Sequence, residues 1–115
     1  MKFLMTYASS AKAPPTPEHI AAIARFGQEM TEAGVLLMTG GLVRPGKGTQ
    51  VRLEGGKFTV LDGPFAETKE VIDGFALVQT RSKQEAIDLA ERFMRVAGDG
   101  EAEVLQLSDG GDLER

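Results

Sequence analysis

The chain has no cysteine and no tryptophan, one histidine, one tyrosine and no long apolar run. Without cysteine there are no disulfides, no thiolate metal ligands and no thiol nucleophile. With a single histidine, an imidazole-rich transition-metal centre has no basis. No stretch reaches the ~18 apolar residues of a membrane span, and the opening Met1-Lys2-Phe3-Leu4-Met5-Thr6-Tyr7 has one charge and too short an apolar run for a signal peptide. Basic residues are scattered and the net charge is −4, so a nucleic-acid surface is not expected. These features point to a protein of the cytoplasm, with neither membrane nor nucleic acid as partner.

What remains is a chain of 115 residues, 42% hydrophobic and 26% charged. That is a single globular domain able to bury about two-thirds of its unfolded surface. The domain is expected over residues 1–107, with a polar tail at 108–115 that frays. Residues 2–8 are apolar on both faces, which predicts a central strand. A Pro-rich loop follows. Thr16 is a natural N-cap for a helix beginning at Pro17, with Ile20, Ile23, Phe26, Gly27 and Met30 at helical spacing and Gly34 as its stop. Val35–Thr39 reads as a strand, and residues 50–53 and 57–61 alternate around Glu54-Gly55-Gly56 as a hairpin. Phe75–Gln79 is a further strand. Ser82 and Glu85 form a capping box for a helix ended by Gly98-Asp99-Gly100, and residues 103–107 make the last strand.

Leaving the hairpin aside, the order is β-α-β-β-α-β, the pattern of the ferredoxin-like fold. The expected class is α+β, with the hairpin inserted between the second and third core strands. Two helices cover one face of such a sheet. The other face would carry apolar side chains into water, more than a soluble monomer usually exposes, so a homodimer is expected. The five methionines (Met1, Met5, Met30, Met38 and Met94) read as core and interface filler.

Residues that could carry chemistry are few. His19 lies in the first turn of the first helix, in register with Ile23, Phe26 and Met30, so its ring points inward or along a sheet edge. It can serve as an acid/base or simply pack. Tyr7, at the end of the first strand, can reach a ligand with its hydroxyl or sit as an amphipathic edge residue. Gly41 to Gly48 superficially spells a phosphate-binding loop. Yet Gly48 stands where Ser or Thr must hold magnesium, Pro45 removes an amide, and a strand follows where a helix is needed. No nucleotide, flavin, nicotinamide or metal cofactor is expected.

The most distinctive stretch is Asp62-Gly63-Pro64-Phe65-Ala66-Glu67-Thr68-Lys69-Glu70. Asp62-Gly63-Pro64 predicts a turn in which the Asp62 carboxylate either bonds backbone amides or faces a site. Phe65 is expected to be buried as an anchor. If the segment runs extended, Phe65, Glu67 and Lys69 share one face, as groups of a substrate pocket or as a surface ion pair. The string, in this element order, resembles the YCII-related family and in particular its DGPF branch. The resemblance implies a dimeric α+β barrel in which two sheets pack together. It also implies a His–Asp pair in which His19 acts, with Asp62 as the carboxylate, or Glu32 if the helix end Glu32-Ala33-Gly34 aligns with the family's acidic position. A family member acts in chlorinated-aromatic breakdown, so the implied activity is cofactor-independent proton transfer or elimination on a small cyclic compound. DGPF-branch proteins are often encoded near extracytoplasmic-function sigma factors, so the resemblance also allows a non-catalytic binding or regulatory module with a sigma factor as partner.

Overall fold

The computed structural model describes residues 1–43, 48–63 and 72–109. Its elements are β1 (Lys2–Ser9), α1 (Pro17–Glu32), β2 (Leu36–Gly41), β3 (Thr49–Glu54), β4 (Lys57–Asp62), β5 (Gly74–Gln79), α2 (Lys83–Ala97) and β6 (Gly100–Gln106). The expected order of two helices, four core strands and an inserted hairpin is therefore present. The expectations for Pro64, Phe65, Glu67, Lys69 and Glu70, and for the tail beyond residue 109, lie outside the described residues.

Four strands form one sheet in the order β2-β5-β1-β6, every neighbouring pair antiparallel. This mixed α+β arrangement is compatible with a ferredoxin-like fold. β1 is central, as its charge-free interior predicts. The helices cover only its odd-numbered face. Phe3 and Met5 on that face join Met30 of α1, Val78 of β5 and Ala86, Leu89 and Ala90 of α2 in the buried core. The opposite face carries a row of apolar residues in strand register: Met38 opposite Leu77, Leu77 opposite Leu4, and Leu4 opposite Leu105. A bulge between Leu36 and Met38 switches faces, so Leu36 packs on the core while Met38 is 60% exposed.

Local chemistry sets the helix ends. The Thr16 hydroxyl accepts the His19 N–H at 3.1 Å, and Pro17 begins α1. Ser82 does the same for the Glu85 N–H at 3.1 Å, while the Glu85 carboxylate reaches back to the Arg81 N–H at 3.5 Å, one residue earlier than a strict capping box. Ile20, included in the apolar spacing of α1, is 55% exposed. The inward stripe runs through His19, Ile23, Phe26 and Met30, and Ile20 sits about 100° around the helix from His19.

Among the described residues β3 and β4 pair only with each other. Gly55 and Gly56 both take positive φ, 56° and 78°, which a two-residue turn of this hand requires. The hairpin base is closed by Gly63 N–H to the Gly48 carbonyl at 2.8 Å and by the Thr49 hydroxyl to the Asp62 carboxylate at 2.7 Å. Every residue of both strands is exposed. The radius of gyration is 16.3 Å, against ~13 Å for a compact domain of this length.

Candidate functional site

The first helix turn, the end of β1 and the end of α2 meet at Gly98. Thr16 and Pro17 fix the backbone of the turn that carries His19. A methyl carbon placed on Gly98 would lie 3.7 Å from His19 Cε1, so the imidazole abuts that glycine. Gly98 caps α2 with φ 105° and ψ −174°, its N–H donating to the Met94 carbonyl at 2.8 Å. That backbone is open to glycine and strained for other residues. Its carbonyl turns toward β1, where the Tyr7 hydroxyl donates to it at 2.8 Å and to the Asp99 carbonyl at 3.2 Å. One glycine thus joins the histidine and the tyrosine.

Tyr7 is held from behind by an edge-on contact with Phe93, ring centroids 5.2 Å apart, and Phe93 in turn touches Phe26 at 6.2 Å. The Arg92 guanidinium lies over the Phe26 ring at 5.4 Å. Asp73 pins the end of β1: its N–H donates to the Tyr7 carbonyl at 2.8 Å, and its carboxylate accepts the Ser9 N–H. Ser10 N–H donates to the Asp99 carbonyl at 3.0 Å, tying the following loop to the end of α2.

Beside this junction lies a wide-open groove of 740 Å³ lined by Ser10, Glu91, Met94, Arg95, Gly98, Asp99 and Gly100. His19 and Tyr7 adjoin it through Gly98 and Gly100. Its side chains offer a hydroxyl, two carboxylates, a guanidinium and a thioether. Glu91 and Arg95 stand one helical turn apart, yet no ion pair joins them among the described residues. No hydrogen bond or ion pair reaches the His19 ring among those residues either. No three His, Asp or Glu side chains among them converge as a metal set.

The carboxylates considered as partners for His19 have other contacts. Asp62 sits on the hairpin, where it accepts the Thr49 hydroxyl. Glu32 closes the far end of α1 and accepts an amide proton from Gln28 at 3.3 Å. Helical rise separates its backbone from that of His19 by about 20 Å. The structure therefore brings Tyr7 and His19 together around Gly98, and no described contact adds Asp62 or Glu32 to them. Phe65, Glu67 and Lys69 lie outside the described residues. Sequence reasoning passed over Gly98, Gly100, Asp73 and Arg95. For Gly98 and Gly100 the signal was the doubled glycine around Asp99, read only as a helix stop. For Asp73 it was an acidic residue immediately before a core strand.

Fold and junction together define a two-helix α+β domain with a shallow, open depression where α2 ends and β6 begins. A YCII-related domain matches residues 1–108, and an uncharacterised protein of Rhizobium meliloti (strain 1021) is 36% identical over 89 residues, 75% of this chain and 72% of that relative. The chain belongs to the YCII-related family. Among the described residues no helix is long and apolar enough to cross a membrane.

Proposed function

We propose that this protein, as a DGPF-branch member working in the cytoplasm, binds a small cyclic compound in the groove and transfers a proton to or from it with His19. The observation that carries this reading is the placement of the His19 ring against Gly98, with its nitrogens unclaimed among the described residues, next to a tyrosine and an open groove. A proton-transfer group needs at least one ring nitrogen open to its substrate, and a hydrogen bond at the other nitrogen orients the ring without blocking it. The Tyr7 hydroxyl is spent on two carbonyls and so acts by holding Gly98 in place. Met94 supplies an apolar wall, and Arg95 supplies a donor for a carbonyl or anionic oxygen of the compound.

The working unit in this reading is a homodimer. Met38, Leu77, Leu4 and Leu105 form a continuous apolar row on the uncovered face of the sheet, and a second sheet laid against it would complete the α+β barrel. The test is a panel of lactones, quinols and haloaromatics assayed with wild type and His19→Ala. Turnover lost in the variant, with its fold intact by circular dichroism, supports the reading. Equal turnover in both removes His19 from the reaction. A pull-down that recovers a sigma factor in stoichiometric amount, with no turnover of any panel compound, favours the regulatory module.

A further inference from the structure

The β3–β4 hairpin is two-faced. Register places Val51 opposite Val60 and Leu53 opposite Phe58 on one side, with Thr49 and Asp62 at its base, and Arg52 opposite Thr59, Glu54 opposite Lys57 and Gln50 opposite Leu61 on the other. The apolar four are 67%, 64%, 58% and 69% exposed in that order. An isolated two-stranded hairpin is marginal in water, and four bare apolar side chains on one of its faces call for a cover.

We propose that this face packs against a second copy of the chain, within the same two-fold interface as the uncovered sheet face; the inference rests on the homodimer proposed above. Area decides in favour of the second copy. At roughly 60–120 Å² per aliphatic side chain and more for an aromatic, the exposed parts of Met38, Leu77, Leu4 and Leu105, with Phe75 two residues before Leu77 on the same face, amount to about 200 Å². With apolar atoms making up about 60% of an interface, the sheet face alone corresponds to roughly 300 Å² per copy. A stable dimer needs about 800 Å² per partner. The hairpin face contributes about 300 Å² of further apolar surface, which with its polar rim closes that gap. Symmetry doubles the benefit, since each copy both gives a hairpin and receives one.

The experiment compares wild type, Phe58→Glu, Leu105→Glu and Thr59→Glu by sedimentation equilibrium. Hydrogen exchange of residues 49–62 is followed across protein concentration. The chain's own core lies outside the hairpin, so Phe58→Glu should keep the wild-type circular dichroism. Expected results are a wild-type dimer, a dissociation constant raised at least 100-fold by Phe58→Glu and by Leu105→Glu, and no more than a threefold change for Thr59→Glu on the polar side. Hairpin amides should gain protection as the dimer forms and stay unprotected in monomeric Leu105→Glu. A dimer broken by Leu105→Glu but untouched by Phe58→Glu overturns the hairpin inference and leaves the sheet-face dimer standing. A monomeric wild type overturns both. Hairpin protection that persists in monomeric Leu105→Glu also refutes it, since the cover would then come from the same chain.

Discussion

Gly100→Ala probes the junction that builds the candidate site. Gly100 begins β6 opposite Ser9, and a Cβ there would clash with the Ala8 carbonyl oxygen. The same carbon would stand 2.9 Å from the Tyr7 hydroxyl and 3.0 Å from Tyr7 Cε1. Backbone cannot swing aside as a flexible side chain can, so either β6 lifts from β1 at this end or Tyr7 leaves its carbonyl partners. Overpacking of this kind costs about 1–3 kcal/mol. With an unfolding entropy of about 2.1 cal/mol/K per residue, that is a fall in Tm of roughly 4–12 °C. Urea denaturation at one fixed protein concentration measures the loss, with an unchanged slope confirming that the unfolded state is not the cause. Gly48→Ala is the control, because nothing lies within 4 Å of its added carbon; it should change stability by less than about 0.5 kcal/mol. A Gly100→Ala loss below about 0.5 kcal/mol would refute the close approach of β6 to Tyr7.

Phe3, 1% exposed at the centre of the core, should cost about 3–5 kcal/mol on replacement by alanine, read by the same denaturation. Tyr7→Phe keeps the edge-on contact with Phe93 but strands the Gly98 carbonyl, for a loss of about 1 kcal/mol in urea. Ser82→Ala removes the acceptor for the Glu85 N–H and should lower stability by about 1 kcal/mol, with earlier melting of α2 by hydrogen exchange.

Elements whose cause lies within a few residues could be read from the chain. Thr16-Pro17, Ser82 and Gly55-Gly56 each determine a cap or turn locally and stand where expected, while Glu85 returns its carboxylate to the Arg81 N–H instead of that of Ser82. The helix faces were legible too, apart from Ile20, whose spacing fits two neighbouring stripes of which only one turns inward. The site was less open to reading. His19 and Tyr7 could be singled out as rare polar residues at element ends. Their meeting point at Gly98 depends on the strand order, and no local pattern carries that. Asp62 looked like a site residue because of the string around it, while its observed partner, Thr49, is fixed by hairpin register.

The place of β1 in the sheet has a consequence for how the chain is made. Both of its neighbours come late: Lys2 pairs with Gln79, and Phe3 pairs with both Val78 and Gln106. On a ribosome adding about 5–20 residues per second, the first strand emerges and then waits on the order of 4–15 s for its first neighbour in the sheet. Through that interval Phe3, Leu4 and Met5 have neither sheet nor finished core to hide in. The amino-terminal strand is thus the segment that holding chaperones would grip, and substitutions that make it stickier would reduce the yield of folded protein more than its final stability.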